Sequence, residues 1–110
     1  MIKTVGLLTR KSGFTHEQFV RHWLEIHAPL ARKVPGLRRY VQNHILGERT
    51  RADIEATAVE VDGIAELWFD DQAALETASR TPEMKALHAD GALFIGRIKS
   101  YIVEEKAIVE

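Results

Sequence analysis

Cysteine is absent from the chain, which excludes disulfides, thiolate nucleophiles and cysteine-liganded metal sites. No apolar run approaches the roughly 20 residues that a membrane-spanning helix needs. An excess of one charge is also lacking: the net charge is −1, so neither nucleic acid nor an anionic membrane surface is an expected partner. The first residues do not have the pattern of a secretory signal peptide. We therefore expect a cytoplasmic protein.

The composition that remains is ordinary for a globular protein, with 45% hydrophobic and 28% charged residues. At 110 residues the chain has the length of a single domain, which we predict to span residues 1–110. A domain of this size buries about two-thirds of the surface that its unfolded chain exposes, so it can have a real core.

Residues 15–40 contain most of the candidate functional groups, and the segment begins with a helix. Thr15 followed by Gln18 is the pattern of a capping box. Beyond that cap, apolar side chains recur at helical spacing and predict a stripe wide enough to cover a sheet. The stripe consists of Phe19, Trp23, Ile26 and Leu30, with a second row of Val20, Leu24, His27 and Ala31.

Pro29 interrupts this helical pattern. A proline in a helix interior costs about 3 kcal/mol because it has no N–H to donate. We therefore expect a kink or break near residues 25–27, with some backbone carbonyls left free and His27 in the disturbed turn. Pro35 and Gly36 then predict the end of the helix and a turn.

The remaining segments predict the fold. We predict strands over residues 3–11, 37–46, 64–69 and 94–103, helices that start near residues 70 and 81, and a long loop over 47–60. Asp62-Gly63 is a turn signal, and Asp90-Gly91 is expected to end or interrupt the last helix. The resulting order, βαββαβ, is that of the α+β ferredoxin-like fold, a four-stranded antiparallel sheet with both helices on one face.

The other face of that sheet needs cover. On the second strand it carries Arg39, Val41, Asn43 and Ile45, which as a set are too apolar to be left in water. A second copy of the chain would cover the face by symmetry, so we expect a homodimer.

Four segments carry a resemblance to a known family: HEQFVRHWLEIHAPL, PGLRRYVQN, AELWFDD and HADGALFIGRIKSYIVEE. Over nearly the whole chain they resemble the EthD-like branch of the dimeric α+β barrel superfamily. The last segment also resembles the methylmuconolactone methylisomerase group of that branch. The resemblance implies a barrel-shaped dimer of ferredoxin-like subunits. It also implies cofactor-free chemistry on small organic molecules or binding of them. Members of the branch include lactone isomerases, polyketide decarboxylases or cyclases, and accessory proteins of ether degradation with no assigned reaction.

The resemblance places His27 and Tyr40 where methylisomerase-like relatives have pocket residues. Those relatives use a cysteine directly before the strand tryptophan, whereas this chain has Leu67 before Trp68. A pocket histidine that they carry in the long loop has no counterpart in residues 47–60. Both differences argue against methylisomerase activity itself and leave the branch open.

Two residues are predicted to be catalytic. The imidazole of His27 can take or give a proton near neutral pH, which suits enolisation, lactone opening or decarboxylation. The phenol of Tyr40 can donate a hydrogen bond to a developing enolate or oxyanion. The structural alternatives are a packing histidine bonded to a carbonyl that Pro29 frees, and a core tyrosine with its hydroxyl at the rim.

Four further residues are predicted to contact substrate: His44, which shares a strand face with Tyr40, the aromatic pair Trp68 and Phe94, and His88 on the last helix. No metal site is predicted. His22 and His27 are five residues apart, a poorer spacing on an α-helix than three or four, and no carboxylate completes a site. His22 is interpreted as a surface or cap residue.

Three functions follow from these residues. The first is a cofactor-free isomerase or lyase that uses His27 and Tyr40 on a hydrophobic or aromatic carbonyl compound. The second is a binding or accessory protein without turnover, in which the same groups hold a ligand. The third is haem or oxygen chemistry, because other branches of the superfamily use a helical histidine for it.

Overall fold

The computed structural model describes all 110 residues and contains four strands and a series of helices. In chain order the elements are β1 (Ile2–Arg10), α1 (His16–His22), a π-helical turn (Trp23–His27), α2 (Ala28–Ala31), β2 (Arg39–His44), β3 (Gly63–Phe69), α3 (Gln72–Ser79), α4 (Pro82–Phe94) and β4 (Ile95–Val103). The strands form one antiparallel sheet in the order β2-β3-β1-β4. The predicted ferredoxin-like α+β fold is therefore confirmed.

The helix starts are set by the caps that the sequence predicts. Thr15 accepts a hydrogen bond from the Gln18 amide at 3.1 Å, and the Gln18 side chain accepts one from the Thr15 amide at 2.9 Å. At α4, Thr81 accepts from the Met84 amide at 3.2 Å, with Pro82 in the first turn, where its missing N–H costs nothing. Satisfying these otherwise unpaired amides fixes where both long helices begin.

The predicted disturbance in the first helix is confirmed, and it takes the form of the π turn Trp23–His27. Ala28 donates its amide to the carbonyl of Trp23, five residues back, and the helix then continues with Pro29 in the first turn of α2. Proline is tolerated there because that position needs no N–H. The wider turn also changes which side chains face the sheet.

The predicted apolar stripe is confirmed for its buried residues and is wrong for two residues that are exposed. Phe19, Trp23 and Ala31 are fully buried, and His27 joins them, at a constant spacing of four. Leu24 and Ile26 are 55% and 53% exposed, contrary to the stripe. The π turn holds one extra residue, which keeps the spacing of four on the buried side and turns Leu24 and Ile26 outward.

Side chains on the helix side of the sheet form two buried clusters. One contains Leu8, Phe19, Trp23, Ala65 and Phe94, and the other contains Ala31, Val34, Phe69, Ala78, Met84 and Leu87. Members of both clusters line a cavity between the helices and the sheet. None of the helices combines the length and apolar character that crossing a bilayer requires.

The structure corrects one further boundary. Asp90-Gly91 does not end or interrupt α4, which continues to Phe94. A glycine in a helix interior costs about 1 kcal/mol relative to alanine. A Cβ at position 91 would lie at an ordinary contact distance, 3.7 Å, from Cε1 of His27, so no steric conflict requires the glycine there.

Candidate active site

The cavity has a volume of about 570 Å³, within the range typical of small-molecule sites. Most of its wall is apolar and comes from β1, β3, α3, α4 and the start of β4. The polar side chains that line it are Thr4, His27, Tyr40, Ser79, His88 and Ser100. Both predicted catalytic residues, His27 and Tyr40, line this cavity.

His27 reaches the cavity from the end of the π turn. It is 8% exposed, and its Nδ1 lies 2.7 Å from Oδ2 of Asp90 on α4. A carboxylate can only accept hydrogen bonds, so Nδ1 carries the proton and donates it to Asp90. No hydrogen bond within the chain engages Nε2, and no buried polar side-chain atom lacks a partner. Nε2 of His27 is therefore not fully buried, and His27 is one of the residues that line the cavity.

His22 completes this group. Its Nε2 lies 3.0 Å and 3.1 Å from the two carboxylate oxygens of Asp90. Residues five apart are poorly aligned on an α-helix, but the i to i+5 hydrogen bonding of the π turn brings His22 and His27 to the same carboxylate. The sequence interpretation of His22 as a surface or cap residue is wrong, because its side chain is only 17% exposed and bonded to Asp90.

Phe94 lies behind the histidines. Its ring stacks on His22 with 4.4 Å between centroids and meets the edge of His27 at 5.1 Å. It is fully buried and is not among the side chains that line the cavity. Phe94 therefore packs the two imidazoles in place.

Burial governs the proton affinity of His27. Removal of the ring from water lowers the pKa of His27 below its ordinary value, and the nearby imidazoles of His22 and His88 act in the same direction. The hydrogen bond and the negative charge of Asp90 oppose this effect. His27 is therefore neutral at pH 7 with a free Nε2, which is the state that a general base requires.

Tyr40 lines the cavity from β2, which is one of the two edge strands of the sheet. Its hydroxyl accepts a hydrogen bond of 3.0 Å from Nε2 of Gln42, whose same nitrogen donates to the Trp23 carbonyl at 2.8 Å. Gln42 thus ties the strand that carries Tyr40 to the π turn that carries His27. Burial raises the pKa of Tyr40, so the phenol keeps its proton and acts as a donor.

Of the other predicted substrate contacts, only His88 lines the cavity, and this residue is exposed. His44 lies in a neighbouring groove, stacked on Trp23 at 4.9 Å and bonded to Gln42 at 2.9 Å. Trp68 is on the opposite face of the sheet, where its indole N–H donates to Glu105 at 2.6 Å. Lys3 and Arg39 cover that indole at 4.8 Å and 4.6 Å from its centroid.

Sequence reasoning missed Asp90, which was interpreted only as part of a helix-ending dipeptide. The missed signal is its position two residues after His88 and one before Gly91, a buried acid on a helix that packs against two histidines. The inference that no carboxylate accompanies His22 and His27 is corrected by the same contacts. Both imidazoles direct an N–H at Asp90, and no group of side chains in the chain has the arrangement of a metal site.

Fold and site together define a ferredoxin-like domain with a cavity between its helices and its sheet. A model of the EthD domain family matches residues 11–98, and the chain belongs to this family.

Two relatives and one protein of the same fold illustrate the similarity. The 4-carboxymethyl-4-methylbutenolide mutase of Pseudomonas reinekei is 28% identical over 106 residues, which cover 96% of this chain and 98% of the mutase. The crystal structure of an EthD family protein from Bacillus halodurans is 32% identical, with a TM-score of 0.77 over 96% of this chain and 99% of that one. A dimeric ferredoxin-like protein of unknown function from Bacteroides fragilis shares the fold at 12% identity, with a TM-score of 0.68 over 94% and 95% of the two chains.

Proposed function

We propose that the chain is a cofactor-independent isomerase or lyase whose active site is the cavity lined by His27 and Tyr40. The substrate class is a small lactone, aromatic or polyketide-like carbonyl compound. The observation that carries the proposal is that a neutral imidazole, whose Nε2 has no hydrogen-bond partner in the chain, and a protonated phenol line the same cavity.

These two groups suit proton transfer next to a carbonyl. The Nε2 lone pair of His27 removes a proton from the carbon beside the carbonyl, and the electron pair of that C–H bond moves into an enolate. The Tyr40 hydroxyl donates a hydrogen bond to the enolate oxygen, where the negative charge develops. Return of a proton from His27 to a different carbon of a conjugated enolate moves the double bond and yields an isomer, without any other reactant.

The cavity wall indicates the character of the substrate. Its apolar side chains include Leu8, Leu67, Leu87 and Ile98, and no lysine or arginine lines it. An uncharged substrate would lose little hydration energy there, whereas a carboxylate would need a protonated imidazole as its partner. We therefore expect neutral lactones and phenols to bind better than free acids of the same shape.

The mutase of Pseudomonas reinekei provides the first probe, 4-carboxymethyl-4-methylbutenolide. In this chain Leu67, on the cavity wall, occupies the position at which methylisomerase-like relatives are expected to carry a cysteine. A leucine cannot act as a nucleophile or as a proton donor. We therefore expect this chain to act on a different lactone, by proton transfer alone.

A thermal-shift screen tests the proposal first by binding. The library contains the butenolide, its methyl ester, other lactones, phenols and aromatic acids. A ligand at 100 times its dissociation constant stabilises the protein by about 2.7 kcal/mol, which the screen detects readily. Each ligand that binds is then incubated with the protein, and products are followed by mass spectrometry and by uptake of deuterium from solvent.

His27→Gln and Tyr40→Phe are the decisive variants, and His16→Gln is the matched control. We expect His27→Gln to lower turnover by about 100-fold or more, and Tyr40→Phe by a smaller factor, because general-base catalysis contributes about 10²–10⁴-fold. His16→Gln leaves turnover unchanged. Binding without product or deuterium uptake would instead identify a ligand-binding protein, and equal turnover in His27→Gln would refute the mechanism.

We further propose a homodimer in which the open face of the sheet is covered by a second copy. The face includes the partly exposed Val5, Leu7, Val41 and Ile64, and Tyr101 is 50% exposed on it. An apolar set of this kind, uncovered within one chain, is the usual mark of an interface.

Light scattering after size exclusion tests this assembly. The dimer has twice the 12.4 kDa mass of one chain. Tyr101→Glu is expected to shift the protein to monomer, and Ile26→Glu is the matched control, because Ile26 is 53% exposed on the helix side. A monomeric wild-type protein at micromolar concentration would refute the dimer.

A further inference from the structure

The proposed reaction uses His27 and Tyr40 but leaves the buried carboxylate of Asp90 without a role. Asp90 is 9% exposed, and its hydrogen-bond partners within the chain are two imidazoles. An ionised group is costly to bury unless it is paired and hydrogen-bonded. The contacts of Asp90 indicate what role this buried carboxylate has beside the cavity.

The orientation of Asp90 is fixed from one side. His22 donates its Nε2–H between the two carboxylate oxygens, at 3.0 Å and 3.1 Å, and Phe94 stacks on the imidazole of His22 at 4.4 Å. This arrangement leaves Oδ2 directed at Nδ1 of His27, at 2.7 Å. The carboxylate and the ring of His22 thereby determine which nitrogen of His27 carries a proton.

We propose that Asp90, held in place by His22, is the positioning residue of the site: it keeps the proton of His27 on Nδ1 and presents Nε2 to the cavity as the base. When Nε2 takes a proton from substrate, His27 becomes an imidazolium that keeps its Nδ1 proton. The negative charge of Asp90 then faces that imidazolium. The proton leaves again from Nε2 to the substrate, so no proton passes to Asp90.

The other titratable groups near His27 do not substitute for Asp90. His88, from the same helix, and His22 can only add positive charge, and Tyr40 lines the cavity as a neutral phenol. Asp90 is the carboxylate that bonds to His27, so removal of its charge acts on the proton affinity of His27 directly. The catalytic role of Asp90 rests on the proposed function. The assignment of the His27 tautomer does not depend on that function.

Nitrogen-15 NMR of the histidine side chains tests the tautomer without any substrate. In wild type we expect the neutral form of His27 to be a single tautomer with hydrogen on Nδ1. Asp90→Asn keeps the size of the side chain and removes its charge, so we expect the titration midpoint of His27 to move to lower pH. Asp62→Asn removes the charge of the other histidine-bonded aspartate and is expected to leave the midpoint of His27 unchanged.

Two substitutions at position 22 separate the hydrogen bond from the ring packing. His22→Gln keeps an N–H donor, whereas His22→Phe keeps an aromatic ring on Phe94 without a donor. We expect the Nδ1–H signal of His27 to stay protected from exchange with solvent in His22→Gln and to lose that protection in His22→Phe. Retained protection in both variants would limit His22 to packing.

A hydrogen on Nε2 of neutral His27 in wild type, or an unchanged midpoint in Asp90→Asn, would overturn the proposal. Once a substrate is known, a positioning role predicts that Asp90→Asn lowers kcat, leaves KM close to wild type and moves the pH profile of kcat/KM with the His27 midpoint. If the NMR results hold while His27→Gln retains turnover, the proposed function fails and the positioning of His27 stands.

Discussion

The chain contains two buried aspartates, each bonded to a histidine and each followed by glycine. Asp62 is 4% exposed and lies 2.9 Å from Nδ1 of His16, and Asp90 is 9% exposed and lies 2.7 Å from Nδ1 of His27. They differ in the remaining partners. Asp62 binds the backbone amide and the guanidinium of Arg10, both at 2.8 Å, whereas Asp90 binds a second imidazole.

The two aspartates therefore differ in whether their hydrogen-bond partners can change. We call Asp62 the fixed anchor and Asp90 the adjustable anchor. An amide and a guanidinium are permanent donors, whereas an imidazole can exchange its tautomer or its charge. Burial alone would raise the pKa of Asp62, but the hydrogen bonds from Arg10 and His16 more than offset it and hold the pKa below its ordinary value. Asp62 thus ties the end of the long connection to β1, while Asp90 faces groups that can change with a bound substrate.

Exchange of each aspartate for asparagine gives the largest expected contrast. In Asp62→Asn one oxygen becomes an NH₂ group that must face a donor, and neither Arg10 donor can become an acceptor. We expect unfolding in urea at pH 7 to show a loss of about 2–3 kcal/mol, the cost of leaving buried polar groups unpaired. In Asp90→Asn the amide oxygen can accept from His27 while His22 changes tautomer to accept, so we expect a loss of about 1 kcal/mol or less.

The pH dependence provides the control for this pair. Because its folded pKa is lowered, Asp62 contributes stability that is present above the unfolded pKa of about 4 and is lost as the pH falls through the folded pKa. The difference between wild type and Asp62→Asn should therefore persist from pH 7 to about pH 5 and shrink in more acidic solution. Equal losses for the two variants at pH 7 would show that the proposed difference between the anchors is wrong.

The same comparison shows what the sequence can and cannot reveal. The family resemblance implies that His27 and Tyr40 lie at a pocket. Element order, caps and the disturbance at Pro29 follow from local chemistry, so the fold is predictable. The partnership of His22, His27 and Asp90 is not. It joins residues 63 and 68 positions apart, and it depends on a π turn that changes the helical spacing.

Trp68 shows a second kind of gap. Alternation places it on one face of β3, but the side on which the helices lie is decided by how the whole sheet packs. Its cover by Lys3, Arg39 and the distant Glu105 depends on where the segment after β4 returns to the sheet. The two Asp-Gly pairs are equally ambiguous, because one opens a strand and the other continues a helix.

The two glycines after these aspartates give the last and smallest contrast. A Cβ at position 63 would lie 2.5 Å from Cζ3 of the fully buried Trp23, whereas at position 91 its nearest neighbours would be at ordinary distances, 3.5 Å from Cδ1 of Ile95 and 3.7 Å from Cε1 of His27. We expect Gly63→Ala to destabilise the protein by about 1–3 kcal/mol through overpacking. Gly91→Ala should stabilise it by about 0.5–1 kcal/mol, because alanine favours a helix interior.

Urea unfolding of both variants measures this contrast, and ligand binding sharpens it. The methyl of Gly91→Ala would fill space on the cavity wall beside His27, so a ligand that contacts His27 should bind more weakly to this more stable variant. Gly91→Ala that is both more stable and unchanged in affinity would mean that the bound ligand stays away from the imidazole. If Gly63→Ala leaves the free energy of unfolding unchanged, the Trp23 side chain can move to accommodate the methyl group. The cavity wall beside Trp23 would then be less rigid than its packing indicates.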